Sequence, residues 1–181
     1  MTIRETAYAD FAAITAMTNE VIATTAIHFG YEPLGEDELV TLWRAQRAQF
    51  PWLTMVEQDD VLGYAKAGAW RPRPAYQWTC ETTIYMAERL RGRGLGTQLY
   101  GALLEACRER GFHSAIGCIT LPNRARSRCT TGSGSSASAC SSTPARSSAR
   151  GTTSGSGRSC LQLLRHDQAR HPPHTGAFVE A

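Results

Sequence analysis

Residues 75–111 read AYQWTCETTIYMAERLRGRGLGTQLYGALLEACRERG. The opening part, Ala75–Met86, is rich in Tyr, Trp, Thr and Ile, which is the pattern of a long strand. Arg89–Gly96 then forms a Gly/Arg loop that opens directly into a helix. Leu95, Leu99, Ala102, Leu103 and Ala106 share one face of that helix. Arg108 and Arg110 suit its last turn, and Gly111 suits the C′ position. A glycine loop between strand and helix aims consecutive backbone N–H groups at one point, where they can cradle a pyrophosphate. Its glycines permit close approach and unusual dihedrals. No Lys-Ser/Thr follows, so this is not a Walker A loop, and the spacing is not that of a dinucleotide-binding GxGxxG. By itself the loop reads equally well as a Gly-rich turn.

Working outward, Thr2–Glu5 is a candidate short strand. A helix pattern starts at Asp10, its N-cap, with Phe11, Ile14, Met17 and Val21 on one stripe. His28–Leu34 reads as loop. A second helix runs from Glu36 to about Gln49, acidic in its first turn and basic later, as the helix dipole favours. Trp52–Val56 and Val61–Trp70 flank the polar turn 57–60 and predict a hairpin. Ser114–Thr120 is a further strand. The order β-α-α-β-β-β-α-β predicts an α/β (α+β) domain around a mainly antiparallel sheet flanked by helices.

A chain of 181 residues suffices for one domain with a real core. Its net charge of +3 conceals a split. Residues 1–125 hold 12 Lys+Arg against 14 Asp+Glu, a balance of −2, and residues 126–181 hold 7 against 2, a balance of +5. The overall charge is therefore a poor argument for a nucleic-acid partner. No apolar run approaches ~18 residues, which predicts no membrane span. The N-terminus lacks the basic-then-apolar order of a secretory signal. Six cysteines show no zinc spacing, and three of them lie in apolar segments and read as buried thiols. A reducing cytoplasm is the expected compartment. His171 and His174 have no companion ligands, so no metal is expected, and the four tryptophans read as core.

The loop has the form R/Q-x-x-G-x-G/A, which resembles the acetyl-CoA-binding loop of GNAT-type N-acetyltransferases. The strand Tyr76–Met86 and Leu121-Pro-Asn123 sharpen the match. So do Ile3-Arg4-Glu5, Phe29–Pro33, Phe50–Leu53 and Arg73–Tyr76. Together they resemble phosphinothricin acetyltransferases and their amino-acid-acetylating relatives over nearly all of residues 2–125. The resemblance implies direct acetyl transfer from acetyl-CoA to the amine of a small amino-acid-like acceptor of the phosphinothricin or methionine sulfoximine type. It implies that Ile84, Tyr85 and Met86 pair with the pantetheine arm, with a backbone N–H near Met86 polarising the thioester carbonyl. Arg91, Gly92, Arg93, Gly94, Leu95, Gly96 and Thr97 would hold the pyrophosphate, and Asn123 would lie near the cofactor. Glu81 matches the general base, although alone it would read as a solvated strand carboxylate. Arg73 matches a contact to the acceptor's carboxylate or phosphinate, or is a loop arginine in solvent. A homodimer fits the resemblance, since dimers are common in such relatives.

At residue 126 the chain leaves the family pattern. Arg126–Cys160 holds 12 Ser, 5 Gly, 5 Arg and 5 Thr, and not one Leu, Ile, Val, Met, Phe, Tyr or Trp. Such a composition cannot build a core, and residues 126–181 are expected to be a disordered tail beside a 1–125 acetyltransferase core. Permitted codons for Arg126 onward, read one base out of frame, give SVALHHRLGFERVGVL. The same shift turns 151–157 into HDVGFW. Both resemble the family's own continuation. The tail is therefore read as out-of-frame translation after a one-base deletion. On that reading the C-terminal part of the fold is missing, with its helix, its last two strands and a histidine, and the chain is an inactive remnant.

Overall fold

The structure is a computed structural model and describes residues 1–25, 28, 31–90, 92–121, 136–145 and 157–165. In chain order the elements are β1 (Thr2–Glu5), α1 (Phe11–Thr24), α2 (Glu36–Gln46), β2 (Trp52–Glu57), β3 (Asp60–Ala69), β4 (Thr79–Met86), α3 (Leu95–Glu109), β5 (Ser114–Leu121), β6 (Ser136–Ala145) and β7 (Gly157–Arg165). They form a seven-stranded sheet in the order β1-β2-β3-β4-β5-β7-β6. All neighbours are antiparallel except β4 and β5, which are parallel. This is the mixed, mainly antiparallel architecture that the sequence predicts.

Each face of the sheet carries its own core, because side chains alternate along a strand. On one face α3 lays down Leu95, Leu99, Leu103 and Cys107 against Leu53, Met55, Ala65, Ala67 and Cys80. On the other, α1 and α2 bring Phe11, Ile14, Leu39, Val40 and Trp43 against Trp52 and Tyr64. Burying each large apolar side chain is worth roughly 1.5–3 kcal/mol. The buried stripe of α1 runs Phe11-Ile14-Thr18, and Met17 and Val21 are only partly covered. Thr18 takes its place inside because its hydroxyl bonds both the Ile14 carbonyl (2.7 Å) and the Tyr64 hydroxyl (2.7 Å).

Local chemistry sets the connections. Gln58 and Asp59 both take positive φ (49° and 71°), the backbone of a tight two-residue hairpin between β2 and β3. Asp10 sits at the N-cap of α1, but its carboxylate turns backwards. It accepts the Ala7 N–H (2.8 Å) and both terminal nitrogens of Arg4 (2.7 and 2.8 Å), tying β1 to the start of the helix. Burial alone would raise the Asp10 pKa. The Arg4 and Ala7 hydrogen bonds and the Arg4 charge outweigh it and hold the carboxyl below its usual value.

The long strand expected over Ala75–Met86 starts later, at Thr79, because Pro74–Tyr76 curl into a 3-10 turn. Proline lacks the ladder donor and suits the first position of such a turn. Trp78 is 47% exposed rather than core. The greatest departure lies beyond β5. The sequence predicts a fold missing its C-terminal part, whereas β7 pairs with β5 along Ser114–Leu121 and β6 lies outside β7. Strand ladders are built from backbone groups, which a Ser-rich segment supplies as fully as an apolar one. The remaining residues of 126–181 lie outside the described residues.

Candidate active site

The parallel pair β4–β5 is short. Thr79, Cys80 and Glu81 face Ser114, Ala115 and Ile116, and there the register ends. β4 continues to Met86 against β3, and β5 continues to Leu121 against β7. Beyond Glu81 and Ile116 the two strands therefore part within one sheet. Residues 82–86 pair with β3 and residues 117–121 with β7, and among the described residues no register joins these two stretches to each other. A second extended chain is the natural complement to such edges.

Thr82 fixes the apex of this cleft. Its hydroxyl donates to the Ile116 carbonyl (3.2 Å) and shares a hydrogen bond with the Tyr100 hydroxyl of α3 (2.9 Å). Thr82 and Tyr100 are both buried. Sequence reasoning named neither, because only the strand register brings residues 82, 100 and 116 together.

The glycine loop stands at the open end of β4. Gly92 and Gly94 take φ of +81° and +76°, a region that L side chains rarely adopt. Gly94 is the N-cap of α3, and no side chain caps the helix there. The Thr97 and Gln98 N–H groups return to the Gly94 carbonyl, which leaves the N–H groups of Leu95 and Gly96 at the helix end. Gly92, Arg93, Gly94 and Thr97 are exposed, Gly96 is half-buried, and Leu95 anchors the turn in the core. This arrangement suits a phosphate: free donors, the positive end of the helix dipole and no Cβ in the way. Arg91 and Asn123 lie outside the described residues.

Alternation along β4 sends Cys80, Thr82, Ile84 and Met86 toward α3, and Glu81, Thr83 and Tyr85 toward the α1/α2 face. On that face an aromatic row crosses the sheet. Trp52 stacks near Tyr64 (6.5 Å), Tyr64 meets Tyr85 (5.6 Å), and Tyr85 meets His28 (6.3 Å). Glu81 lies beyond the row, directly across from Gly68 of β3. A Cβ on Gly68 would meet only the Gln46 Oε1, at 3.9 Å, so the space over Glu81's cross-strand partner is open. Two residues back on β3, Lys66 lays its ammonium 4.6 Å from the Trp52 ring centre. Burial lowers the Lys66 pKa from the ordinary lysine value, and the negative charge of Glu81 partly offsets this.

The structure thus places Glu81, Ile84, Tyr85, Met86 and the loop 92–97 around one cleft, with Glu81 at its apex. Arg73 stands apart at the head of the exposed turn, its carbonyl accepting the Tyr76 N–H (2.9 Å), and its guanidinium has no hydrogen bond or ion pair among the described residues. Among the described residues no three His, Cys, Asp or Glu side chains cluster as a metal site.

Residues 14–129 match the family model described as Acetyltransferase (GNAT) family. The chain belongs to that family. The GNAT resemblance read from the motifs is thereby confirmed over most of the segment on which it was drawn. A phosphinothricin N-acetyltransferase of Streptomyces viridochromogenes is 37% identical over 121 residues, which is 67% of this chain and 66% of that protein. An L-methionine sulfoximine/L-methionine sulfone acetyltransferase of Pseudomonas aeruginosa is 33% identical over 126 residues, 68% of this chain and 73% of that one. Among solved structures, the acetyltransferase yncA of Salmonella typhimurium, solved with its cofactor acetyl-CoA, superposes with a TM-score of 0.85 at 26% identity. The match covers 96% of this chain and 98% of that one.

Proposed function

We propose that this chain transfers an acetyl group from acetyl-CoA to the amine of a small amino acid of the phosphinothricin or methionine sulfoximine type. The observation that carries this reading is the parting of β4 from β5 at Glu81, next to the uncapped, glycine-led start of α3. The open edge Ile84–Met86 receives the pantetheine arm by backbone pairing. The N–H groups at the head of α3, with Gly92, Gly94 and Gly96, receive the pyrophosphate. Arg91, Arg93 and Thr97 add charge and a hydroxyl to that loop, and Asn123 completes it by family resemblance. The bound cosubstrate supplies an activated acetyl carbonyl.

The protein's own contribution is positional. The acceptor approaches from the α1/α2 face, where Glu81 accepts a proton from the ammonium, directly or through water. The freed amine nitrogen forms the new C–N bond, the C–S bond breaks, and the thiol of CoA leaves with a proton. A backbone N–H of β4 near Met86 polarises the carbonyl oxygen. Arg73, on the exposed turn, meets the outer end of the acceptor. The work is done in the cytoplasm, by a monomer or a homodimer. Among the described residues no helix is long and apolar enough to cross a membrane.

The test is release of free thiol when the purified protein meets acetyl-CoA and either phosphinothricin or methionine sulfoximine. Acceptor-dependent thiol release with matching N-acetylated product is expected. Absence of acetyl-CoA binding by calorimetry would overturn the reading.

A second reading rests on the composition of Arg126–Cys160 and on the two family-like stretches recovered one base out of frame. In that reading residues 1–125 are the acetyltransferase core, residues beyond are misread, and the chain is an inactive remnant of such an enzyme. Genomic sequencing across the codons for 123–129 decides it. Codons incompatible with the shifted frame exclude this reading, and acetyl-CoA binding without turnover favours it.

A further inference from the structure

The α1/α2 face holds a cation beside Glu81 that the reaction does not use. Lys66 is on β3, two residues before Gly68, and Gly68 is the cross-strand partner of Glu81. Lys66 and Glu81 are therefore diagonal neighbours on one face of an antiparallel pair, with Cα atoms roughly 7–8 Å apart. The lysine stem lies over the apolar Trp52 ring, 4.6 Å from ammonium to ring centre. Among the described residues no hydrogen bond or ion pair reaches its three donors, and Glu81 is the one charge that acts on it. Holding a cation part-buried on an aromatic floor without a hydrogen-bond partner is costly, and an anion arriving from solution would relieve that cost.

The spacing matches one kind of ligand. A free α-amino acid carries an ammonium and a carboxylate on adjacent carbons. Its ammonium must face Glu81, because that is where its proton goes. Its carboxylate then lies on the side of Lys66, over the gap that Gly68 leaves. Thr83, directly across from Lys66, adds a hydroxyl on the same face. The acceptor's charge pair and the site's charge pair run antiparallel. Arg73, on its exposed turn, stands outside this arrangement and is free to meet an acidic side chain instead.

We propose that Lys66 is a specificity-determining residue: its ammonium binds the α-carboxylate of the acceptor and so selects free amino acids over amines that lack one. This rests on the reading of Glu81 as the apex of an acetyl-transfer site. The test compares methionine sulfoximine with its α-carboxamide as acceptors, in the wild type and in Lys66→Met and Lys66→Arg. A charge-assisted hydrogen bond lost on removal of the cation is expected to raise KM for the free acid on the order of 10- to 100-fold, mainly in KM rather than kcat. Lys66→Met should thus lose most of the preference for acid over amide, and Lys66→Arg should keep most of it. Acetyl-CoA affinity, measured by calorimetry, should be unchanged in both. If Lys66→Met does not fold, Lys66→Gln carries the same expectation. An acid-over-amide preference that survives loss of the charge overturns the proposal, and so does a wild type that acetylates both acceptors equally. Those two results leave the acetyl-transfer reading standing. A wild type that acetylates neither acceptor overturns both.

Discussion

Gly63 offers the sharpest test of how the sheet supports the cleft. It lies on β3 opposite Met86, at the end of β4 proposed to meet the cosubstrate. A Cβ there would sit 2.4 Å from the Met86 Sδ and 2.7 Å from the Tyr85 carbonyl oxygen. Unstrained heavy-atom contacts lie at about 3.5–4.0 Å. The sulfur must therefore retreat by more than about 1 Å, which a methionine can do by rotating. The carbonyl cannot rotate away, so β4 itself must shift by several tenths of an ångström. Gly63→Ala is expected to cost about 1–3 kcal/mol, the range for overpacking a well-filled site. With a urea m-value of roughly 1–3 kcal/mol/M, the midpoint should fall by about 1 M with little change in m. Acetyl-CoA affinity should fall with it if, as proposed, the displaced backbone is the edge that pairs with the pantetheine arm. Gly68→Ala on the same strand is the control. Its Cβ would meet only Gln46 Oε1 at 3.9 Å, so its stability should be unchanged or raised by up to about 1 kcal/mol. It should raise KM for the acceptor and leave acetyl-CoA binding alone. Equal stability and equal cosubstrate affinity for Gly63→Ala and the wild type would refute the reasoning.

Three further outcomes follow from the same geometry. Glu81→Gln should lower kcat about 10²- to 10⁴-fold in steady-state assays while acetyl-CoA still binds with unchanged affinity. Tyr100→Phe removes the hydrogen bond between the Tyr100 and Thr82 hydroxyls and should cost about 0.5–1.5 kcal/mol in urea unfolding, with weaker acetyl-CoA binding because the apex of the cleft loosens. Asp10→Asn should cost about 1–3 kcal/mol near neutral pH by weakening its bonds to Arg4 and Ala7. The folded Asp10 pKa lies below the ordinary 3.8, so its contribution is fully present above that value and is lost as pH falls through the folded pKa. The stability gap between wild type and Asp10→Asn should therefore shrink in acid unfolding curves below about pH 4, and a gap independent of pH would exclude the ion pair as its source.

The local elements and the glycine-loop half of the candidate site can be read from composition and periodicity alone. Strand propensity, helix periodicity and the glycines of 91–97 are local signals, and β4, α3 and the loop between them were legible for that reason. Glu81, Ile84, Tyr85 and Met86 were legible as one strand matching a family pattern. β4 starts later than composition suggests because Pro74 and Tyr76 belong to a turn whose aromatic composition imitates a strand. Strands β6 and β7 were not legible, since residues 136–145 carry no large apolar side chain and ladder pairing depends on backbone groups that composition does not report. Which side chains share the cleft is set by the long-range fold. Thr82, Tyr100 and Ile116 meet because β4 stops pairing with β5 at one register position. Lys66 stands beside Glu81 because β3 and β4 pair with Gly68 opposite the carboxylate. Register is a long-range property, and no local pattern around residue 66 or residue 100 encodes it.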